Sequence, residues 1–244
     1  NVGNVAQNAQ TWTADTTGPT IRTVVITRAT TAQTSTLNEG DVVTATVTFG
    51  EAVTVTGTPT LTLTIGSTPV VANYASGNGT NALTFTYTVL ASQTDTDGIS
   101  IGANALSLNG GTILDAVGNN ATLTHAAVTN NASYKVDTTA PAALTLALAA
   151  DTGTAGDYLT NNTTINVGGL ESGATWEYST NNGTNWAAGT GSAFNASVGT
   201  FATGVLRVRQ TDAAGNVGNV TQNAQAWTVD TTGPTISTVA ITSA

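Results

Sequence analysis

Hydrophobic and polar residues alternate with a period of two along much of the first half of the chain. The clearest runs are 41–49, 61–65 and 83–89, in which valine, leucine, isoleucine or phenylalanine alternates mainly with threonine. This alternation predicts strands that bury one face and leave threonine on the other. Turn-rich pieces at 66–69 and 76–79 separate the runs. No segment shows the period of an amphipathic helix.

The second half of the chain repeats this pattern in shorter runs. Residues 205–209 predict a strand, and Asn181, Asn182 and Gly183 predict a hairpin turn. Trp176 is expected to fill the core of this half. Short strands with such frequent turns predict an all-β fold, made of tandem immunoglobulin-like β-sandwiches with Greek-key connections placed end to end.

An internal repeat predicts the domain boundaries. Residues 1–29 align without gaps with residues 216–244 and differ at six positions, so we expect one period of a longer tandem array. Connectors of the type Asp-Thr-Thr-(Gly or Ala)-Pro begin at Asp15, Asp137 and Asp230, and proline makes each one stiff and extended. The predicted segments are the last strand of a preceding unit (1–14), a first sandwich (15–136), a second sandwich (137–229) and the first strand of a next unit (230–244).

Composition limits the possible functions. The 244 residues suit two domains that each bury a core. With 14 acids against 5 bases, the net charge of −9 argues against nucleic acid and anionic membranes as partners. The chain has no cysteine, which excludes disulfides and thiolate chemistry. No apolar run is long enough for membrane insertion.

The few acidic residues recur at matching topological positions in both predicted domains. In an immunoglobulin-like sandwich, the incoming connector, the B–C loop and the F–G loop share one end. Each domain would gather there a connector aspartate, a glutamate, and an aspartate followed four residues later by an asparagine. The two sets are Asp15, Glu51, Asp115 and Asn119 in the first domain, and Asp137, Glu171, Asp212 and Asn216 in the second.

Clustered carboxylates favour a bound cation. Two like charges 4 Å apart repel by about 4 kcal/mol near a protein surface, and a cation removes that cost. We expect Ca2+ rather than Mg2+, because calcium accepts roughly six to eight oxygen ligands in flexible geometry. The other end of each preceding domain would add Glu39, Asp41, Asp95 and Asp97 at the Asp137 joint, and Asp151 and Asp157 at the Asp230 joint. The alternative interpretation, solvated loop acids that form turns, stays open.

The motifs also resemble a known family. The connectors, the Asp-x-x-Gly-Asn loops at 115–119 and 212–216, and the stretches 49–53 and 173–179 leading to Trp186 resemble the bacterial immunoglobulin-like repeats of giant type-I-secreted surface adhesins, including biofilm-associated and repeats-in-toxin adhesins. The resemblance covers essentially the whole chain. One departure is Asp157, which Tyr158 follows where the pattern has glycine.

The resemblance implies an extracellular stalk on the bacterial cell surface. Neighbouring immunoglobulin-like domains of the same chain would be rigidified by Ca2+ at their joints. Other parts of the full protein would bind the distal host-cell, surface or biofilm ligand.

The sequence also bears on three other possible functions: an enzyme, a binding module and a filament subunit. An enzyme is not expected, because His125 is the only histidine and no nucleophile accompanies it. The threonine rows could form a glycan- or ice-binding face, with Trp186 and Tyr158 as candidate aromatics for a sugar. Residues 2–14 could instead donate a strand to a neighbouring sheet and build a filament.

Overall fold

The chain forms β-sheets throughout the part of it that the structure describes. The computed structural model describes residues 13–29 and 35–240, and within them the chain forms strands and no helix, so the all-β prediction is confirmed. The predicted strand at 1–14 lies outside the described residues except for its last two positions.

The described part of the chain contains twenty strands, most of them separated by short turns. In the first half they are β1 (Ile21–Ala29), β2 (Thr36–Leu37), β3 (Val42–Thr56), β4 (Thr60–Ile65), β5 (Thr68–Ser76), β6 (Thr80–Thr88), β7 (Thr94–Asp95), β8 (Leu106–Ser107), β9 (Thr112–Leu114) and β10 (Lys135–Asp137). In the second half they are β11 (Thr145–Leu148), β12 (Leu159–Thr160), β13 (Thr164–Gly168), β14 (Thr175–Ser179), β15 (Ala187–Ala188), β16 (Ala193–Asn195), β17 (Gly199–Phe201), β18 (Arg207–Thr211), β19 (Thr221–Gln222) and β20 (Trp227–Val229).

The chain divides into two compact units. The described residues of the first unit are 13–29, 40–89 and 93–136, and those of the second are 35–39, 90–92 and 137–240.

The first unit is built on a seven-stranded sheet. Its order is β1-β3-β6-β5-β4-β8, and β9 pairs with the far end of β3. Leu61, Leu63 and Ile65 of β4 are buried, whereas the threonines between them are only partly buried. Period-two alternation therefore predicted both the strand and its buried face. Ile99 and Ile101, which lie between β7 and β8, are fully buried as well.

Strand β3 is long and irregular in its middle. Its pairing with β6 is regular from Val42 to Thr48 and shifts before Val53, and its pairing with β1 shifts beside Phe49. Such irregularities bend a strand and redirect side chains. Glu51 lies in this irregular part, so the residue expected in a loop belongs to a strand instead.

The second unit is a sandwich of smaller sheets around one core. The sheets have the orders β11-β13-β16, β15-β14-β18-β19 and β12-β20-β17. Trp176, Phe194 and Trp227 are central to the core, and Trp176 is only 5% exposed, as predicted. Asn182 and Gly183 take positive φ angles of 60° and 82° in the turn between β14 and β15, which confirms the hairpin.

Candidate metal centre

The loop after β9 is closed around the carboxylate of Asp115. Its Oδ1 accepts hydrogen bonds from the backbone N–H groups of Val117 and Asn119 at 2.9 and 2.8 Å. The backbone N–H of Asp115 in turn donates to the carbonyl oxygen of Asn119 at 3.1 Å. Gly118 makes the turn possible with a φ of 98°. The spacing of Asp115 and Asn119 therefore produces one compact ring of hydrogen bonds.

These bonds keep the Asp115 side chain charged although it is buried. Burial acts to raise the pKa of its carboxyl group, but the N–H groups of Asn119, Val117 and Gly118 outweigh burial. The pKa of Asp115 therefore lies below its ordinary value of 3.8. The loop thus presents a fixed negative charge at neutral pH.

The first connector lies directly against this loop. The side-chain amide of Asn119 donates to the backbone carbonyl oxygen of Asp15 at 3.1 Å and to Oδ2 of Asp115 at 2.7 Å. A Cβ atom on Gly18 would lie 1.9 Å from the carbonyl oxygen of Asn120, so the approach requires glycine. Asn119 therefore fixes the connector to the loop, in what we call the connector–loop contact.

Three carboxylates from distant parts of the sequence meet beside this contact. Asp15, Glu51 and Asp115 each offer an oxygen atom, and these atoms lie within 4.8 Å of one another. Asp15 and Glu51 are exposed and Asp115 is buried. The backbone N–H of Gly50 donates to the carbonyl oxygen of Thr20 at 2.9 Å, which holds the irregular part of β3 near the connector.

The donor set fits a hard divalent cation. All three candidate ligands are carboxylate oxygens, and the two exposed members leave room for water, which calcium accepts as a ligand. The amide nitrogen of Asn119 cannot ligate a cation, and this nitrogen faces both Asp15 and Asp115. Asn119 therefore positions the Asp115 carboxylate and the Asp15 main chain through its nitrogen, and its own role as a metal ligand, through the amide oxygen, stays a prediction.

The second unit contains the same connector–loop contact. The amide of Asn216 donates to the carbonyl oxygen of Asp137 and to Oδ2 of Asp212, both at 2.9 Å. Oδ1 of Asp212 accepts the N–H groups of Ala214 and Asn216 at 2.9 and 2.8 Å. The matching positions inferred from sequence therefore correspond to matching geometry.

The glutamate of the second set is held differently. The backbone N–H of Glu171 donates to Oε1 of Gln210 at 3.0 Å, and Nε2 of Gln210 donates to Ala142 and Gly169. Among the described residues, Asp137, Glu171 and Asp212 do not form a second group as close as the first. Their role in metal binding stays a prediction.

Gln210 was missed by the sequence analysis. It is 1% exposed and ties Ala142, directly after the second connector, to the loop between β13 and β14. A signal was present, since Gln210 follows Leu206 and Val208 at the next inward position of the strand. A polar residue there indicates a buried hydrogen-bonding role.

The other predicted ligands have local roles or simple surface positions. Asp41 is buried and Glu39 is exposed. The remaining carboxylates accept nearby donors, as turn-forming acids do. The pairs are Asp95 with the N–H groups of Gly66 and Gly98, Asp97 with the Asn130 amide, Asp151 with the N–H of Gly156, Asp157 with the N–H of Leu159, and Asp230 with the N–H of Thr232. Their metal roles stay predictions.

His125 and Trp186 have structural contacts. Nε2 of His125 accepts the backbone N–H of Ala105 at 2.9 Å, and Nδ1 lies 2.7 Å from the carbonyl oxygen of Ala126. The guanidinium of Arg209 lies 4.3 Å from the centre of the Trp186 ring and pairs with Glu177 at 2.8 Å. One face of Trp186 is therefore covered by a cation.

The similarities of this chain to known proteins are distant. No protein family and no curated relative matches the sequence. One similar solved structure is that of the fibronectin(III)-like modules of Clostridium thermocellum CbhA, with 11% identity over 85% of this chain and 94% of that chain, and a TM-score of 0.31. At these values the similarity supports no statement about function. The described residues contain no helix that could span a membrane.

Proposed function

We propose that this chain is a structural extender segment of a bacterial cell-surface adhesin. Its immunoglobulin-like domains form part of an extracellular stalk, and Ca2+ stiffens that stalk where each connector enters a domain. A ligand-binding region elsewhere in the full protein attaches to a host cell, a surface or a biofilm. The all-β fold, the repeated connectors and the two equivalent connector–loop contacts support this proposal.

The observation that carries the proposal is the meeting of Asp15, Glu51 and Asp115 within 4.8 Å. Three ionised carboxylates at this distance repel one another, and the repulsion acts to separate the connector from β3 and the 115–119 loop. Calcium supplies the positive charge that reverses this repulsion when bound.

The residues around the carboxylates prepare the site. Asn119 holds Asp15 and Asp115 together, and the backbone N–H groups of the loop keep Asp115 ionised. The irregular part of β3 supplies Glu51 from the other side. The connector is then held at two places, by a hydrogen bond and by the shared cation.

The expected affinity suits a protein that functions outside the cell. Extracellular calcium modules bind with dissociation constants of about 10⁻⁴ to 10⁻³ M. Sites of this strength are empty in a cytoplasm and filled in calcium-rich surroundings. The chain would therefore stay loose during export and stiffen afterwards.

Calorimetric titration with CaCl2 tests the site. We expect binding in the range given above for the unaltered chain, and a loss of at least tenfold in affinity, about 1.4 kcal/mol, for Glu51→Gln. Glu177→Gln is the matched control, because Glu177 pairs with Arg209 away from the carboxylate group. Equal calcium binding by the unaltered chain and Glu51→Gln would rule out this site.

Small-angle scattering tests the stiffening. Calcium should restrict the range of conformations of the unaltered chain and so change the maximum dimension derived from the scattering curve. A chelator should reverse the change. Glu171→Gln should show a smaller response, because Glu171 belongs to the set predicted at the Asp137 connector, where the second unit begins. An identical scattering curve with and without calcium would remove the mechanical part of the proposal.

A further inference from the structure

The second unit has a groove that opens beside its core. A cavity of about 360 Å³ and a second one of about 250 Å³ share Leu146, Tyr158 and Trp227 among their lining residues. All of the lining residues lie between positions 144 and 227, so the second unit forms the walls by itself. We call these two adjoining cavities the Tyr158 groove.

Trp227 brings an unused hydrogen-bond donor to this groove. It is 5% exposed and belongs to the core. In the described part of the chain, every side-chain nitrogen or oxygen that is sealed from solvent has a hydrogen-bond partner, whereas the indole nitrogen of Trp227 has none there. That nitrogen is therefore not sealed, and the open space that Trp227 lines is the groove. Trp176, in the same core, instead donates its indole N–H to the carbonyl oxygen of Gly191 at 3.0 Å.

The backbone holds Tyr158 in a strained conformation beside Trp227. Its φ of 58° lies in the left-handed region, which glycine adopts freely and aromatic residues rarely adopt. Its carbonyl oxygen accepts the N–H of Thr228 at 2.9 Å, which fixes its position next to Trp227. The ring packs against the core, and its hydroxyl has no hydrogen-bond partner among the described residues. Strain of this kind persists where the surrounding structure fixes it, and it is concentrated at functional sites.

The chemistry of the lining selects a neutral ligand that is rich in hydroxyl groups. The apolar surfaces lie beside polar groups that bond to hydroxyls, among them the side-chain amides of Gln222 and Gln225. Among the described residues, neither cavity is lined by a lysine, an arginine or a histidine, and Asp151 adds a negative charge to the second one. An anionic ligand would therefore be repelled. A pyranose ring fits this set, because its apolar C–H face packs on an aromatic ring while its hydroxyls both donate and accept hydrogen bonds.

We propose that the Tyr158 groove binds a neutral oligosaccharide. The ring of Tyr158 stacks on one sugar unit, and the free indole N–H of Trp227 donates to an oxygen atom of the ligand. The adjoining cavities give room for consecutive sugar units. This site does not depend on calcium at the connectors, so the two proposals stand or fall separately.

Nuclear magnetic resonance titration of the full chain, with a chelator present, tests the site. The probes are cellotetraose, maltotetraose, mannotetraose and chitotetraose, and tetragalacturonate is the anionic control. A concentration of about 10 mM fills most of a site whose dissociation constant is about 1 mM. We expect a neutral sugar to shift the indole N–H signal of Trp227 and to leave that of Trp176 in place, since the latter is bonded to Gly191. Tetragalacturonate should shift neither signal.

Substitutions separate the two aromatic residues that the sequence offers for a sugar. Tyr158→Gly removes the stacking ring and suits the positive φ, so it should weaken binding by about tenfold or more. Trp186→Ala is the matched control, because Trp186 is absent from the described lining of both cavities, and it should leave binding unchanged. Tyr158→Asn replaces the first variant if that one does not fold, since asparagine also tolerates the left-handed region.

Three results would overturn the proposal. The first is a Trp227 signal that none of the neutral sugars shifts, and the second is a shift that persists without the ring of Tyr158. The third is a loss of binding in Trp186→Ala alone, which would place the sugar elsewhere on the unit. A response of Trp227 to octanol but to no sugar belongs to the first result and would identify an apolar groove instead.

Discussion

The side-chain amide nitrogen of Asn119 lies 3.1 Å from the backbone carbonyl oxygen of Asp15, which is 104 residues earlier in the chain. Asn216 and Asp137 form the same bond at 2.9 Å. Two units with different sheets thus fix their incoming connectors in one way. Both units therefore make this contact at the point where the connector leads into the domain, and the first prediction concerns its loss.

Asn119→Ala should destabilise the first unit by about 1–3 kcal/mol, because it leaves a carbonyl group and a charged carboxylate without their shared donor. Denaturant unfolding measures the change. Asn120→Ala is the matched control, because its side chain is exposed in the same loop and should cost less than about 0.5 kcal/mol. Equal losses for both variants would show that the contact does not stabilise the unit.

The stability of the first unit should fall in acid because of Asp115. Its folded pKa lies below the ordinary value of 3.8, so the folded state favours the ionised form. The stabilisation is complete above pH 3.8 and is lost as the pH falls through the lower, folded pKa. Unfolding measured in chelator from about pH 5 downward should show this loss. Asp115→Asn should have a shallower dependence, and identical slopes would contradict the assignment.

Gly18→Ala should destabilise the first unit, because the new Cβ atom would lie 1.9 Å from the carbonyl oxygen of Asn120 and the connector must move. We expect a loss of about 1–3 kcal/mol, as for other overpacked sites. The same change at Gly233, which has nothing within 4 Å, serves as the control in thermal unfolding. A destabilised Gly233→Ala variant with a stable Gly18→Ala variant would reverse the expected order.

Gln210→Ala should destabilise the second unit by about 1–3 kcal/mol, since it removes a buried side chain and three partly buried hydrogen bonds to the backbone. Amide hydrogen exchange should show faster exchange at Glu171, whose N–H donates to Gln210. Gln225→Ala, at an exposed side chain, should leave both measurements nearly unchanged. Unchanged protection of Glu171 in Gln210→Ala would show that the bond is dispensable.

Local sequence was sufficient for many of the strands. Thr60–Ile65 forms the half-buried strand that its alternation predicts, and Trp176 lies in the core as expected. The strand predicted from 205–209 is found slightly later, at Arg207–Thr211, and the threonine rows fall on the less buried face. These features depend on residues that are close together in the sequence, so the sequence predicts them without knowledge of the tertiary structure.

Part of the candidate site also followed from sequence. The repeated spacing of Asp115 with Asn119 and of Asp212 with Asn216 predicted equivalent loops, and the structure forms them with equivalent bonds. The sequence named Asp15, Glu51 and Asp115 as one set, and the structure brings their carboxylates together. Metal binding there stays a prediction.

The sequence by itself determined the all-β class, the alternating strands and the repeat that makes 230–240 a copy of the first connector and edge strand. Tertiary structure decided which residues at matching positions make the same contacts in both units. The irregular register of β3 places Glu51 beside Asp15, whereas Gln210 holds Glu171 by its backbone. The reason is physical, because register and burial depend on partners that lie far away in the chain.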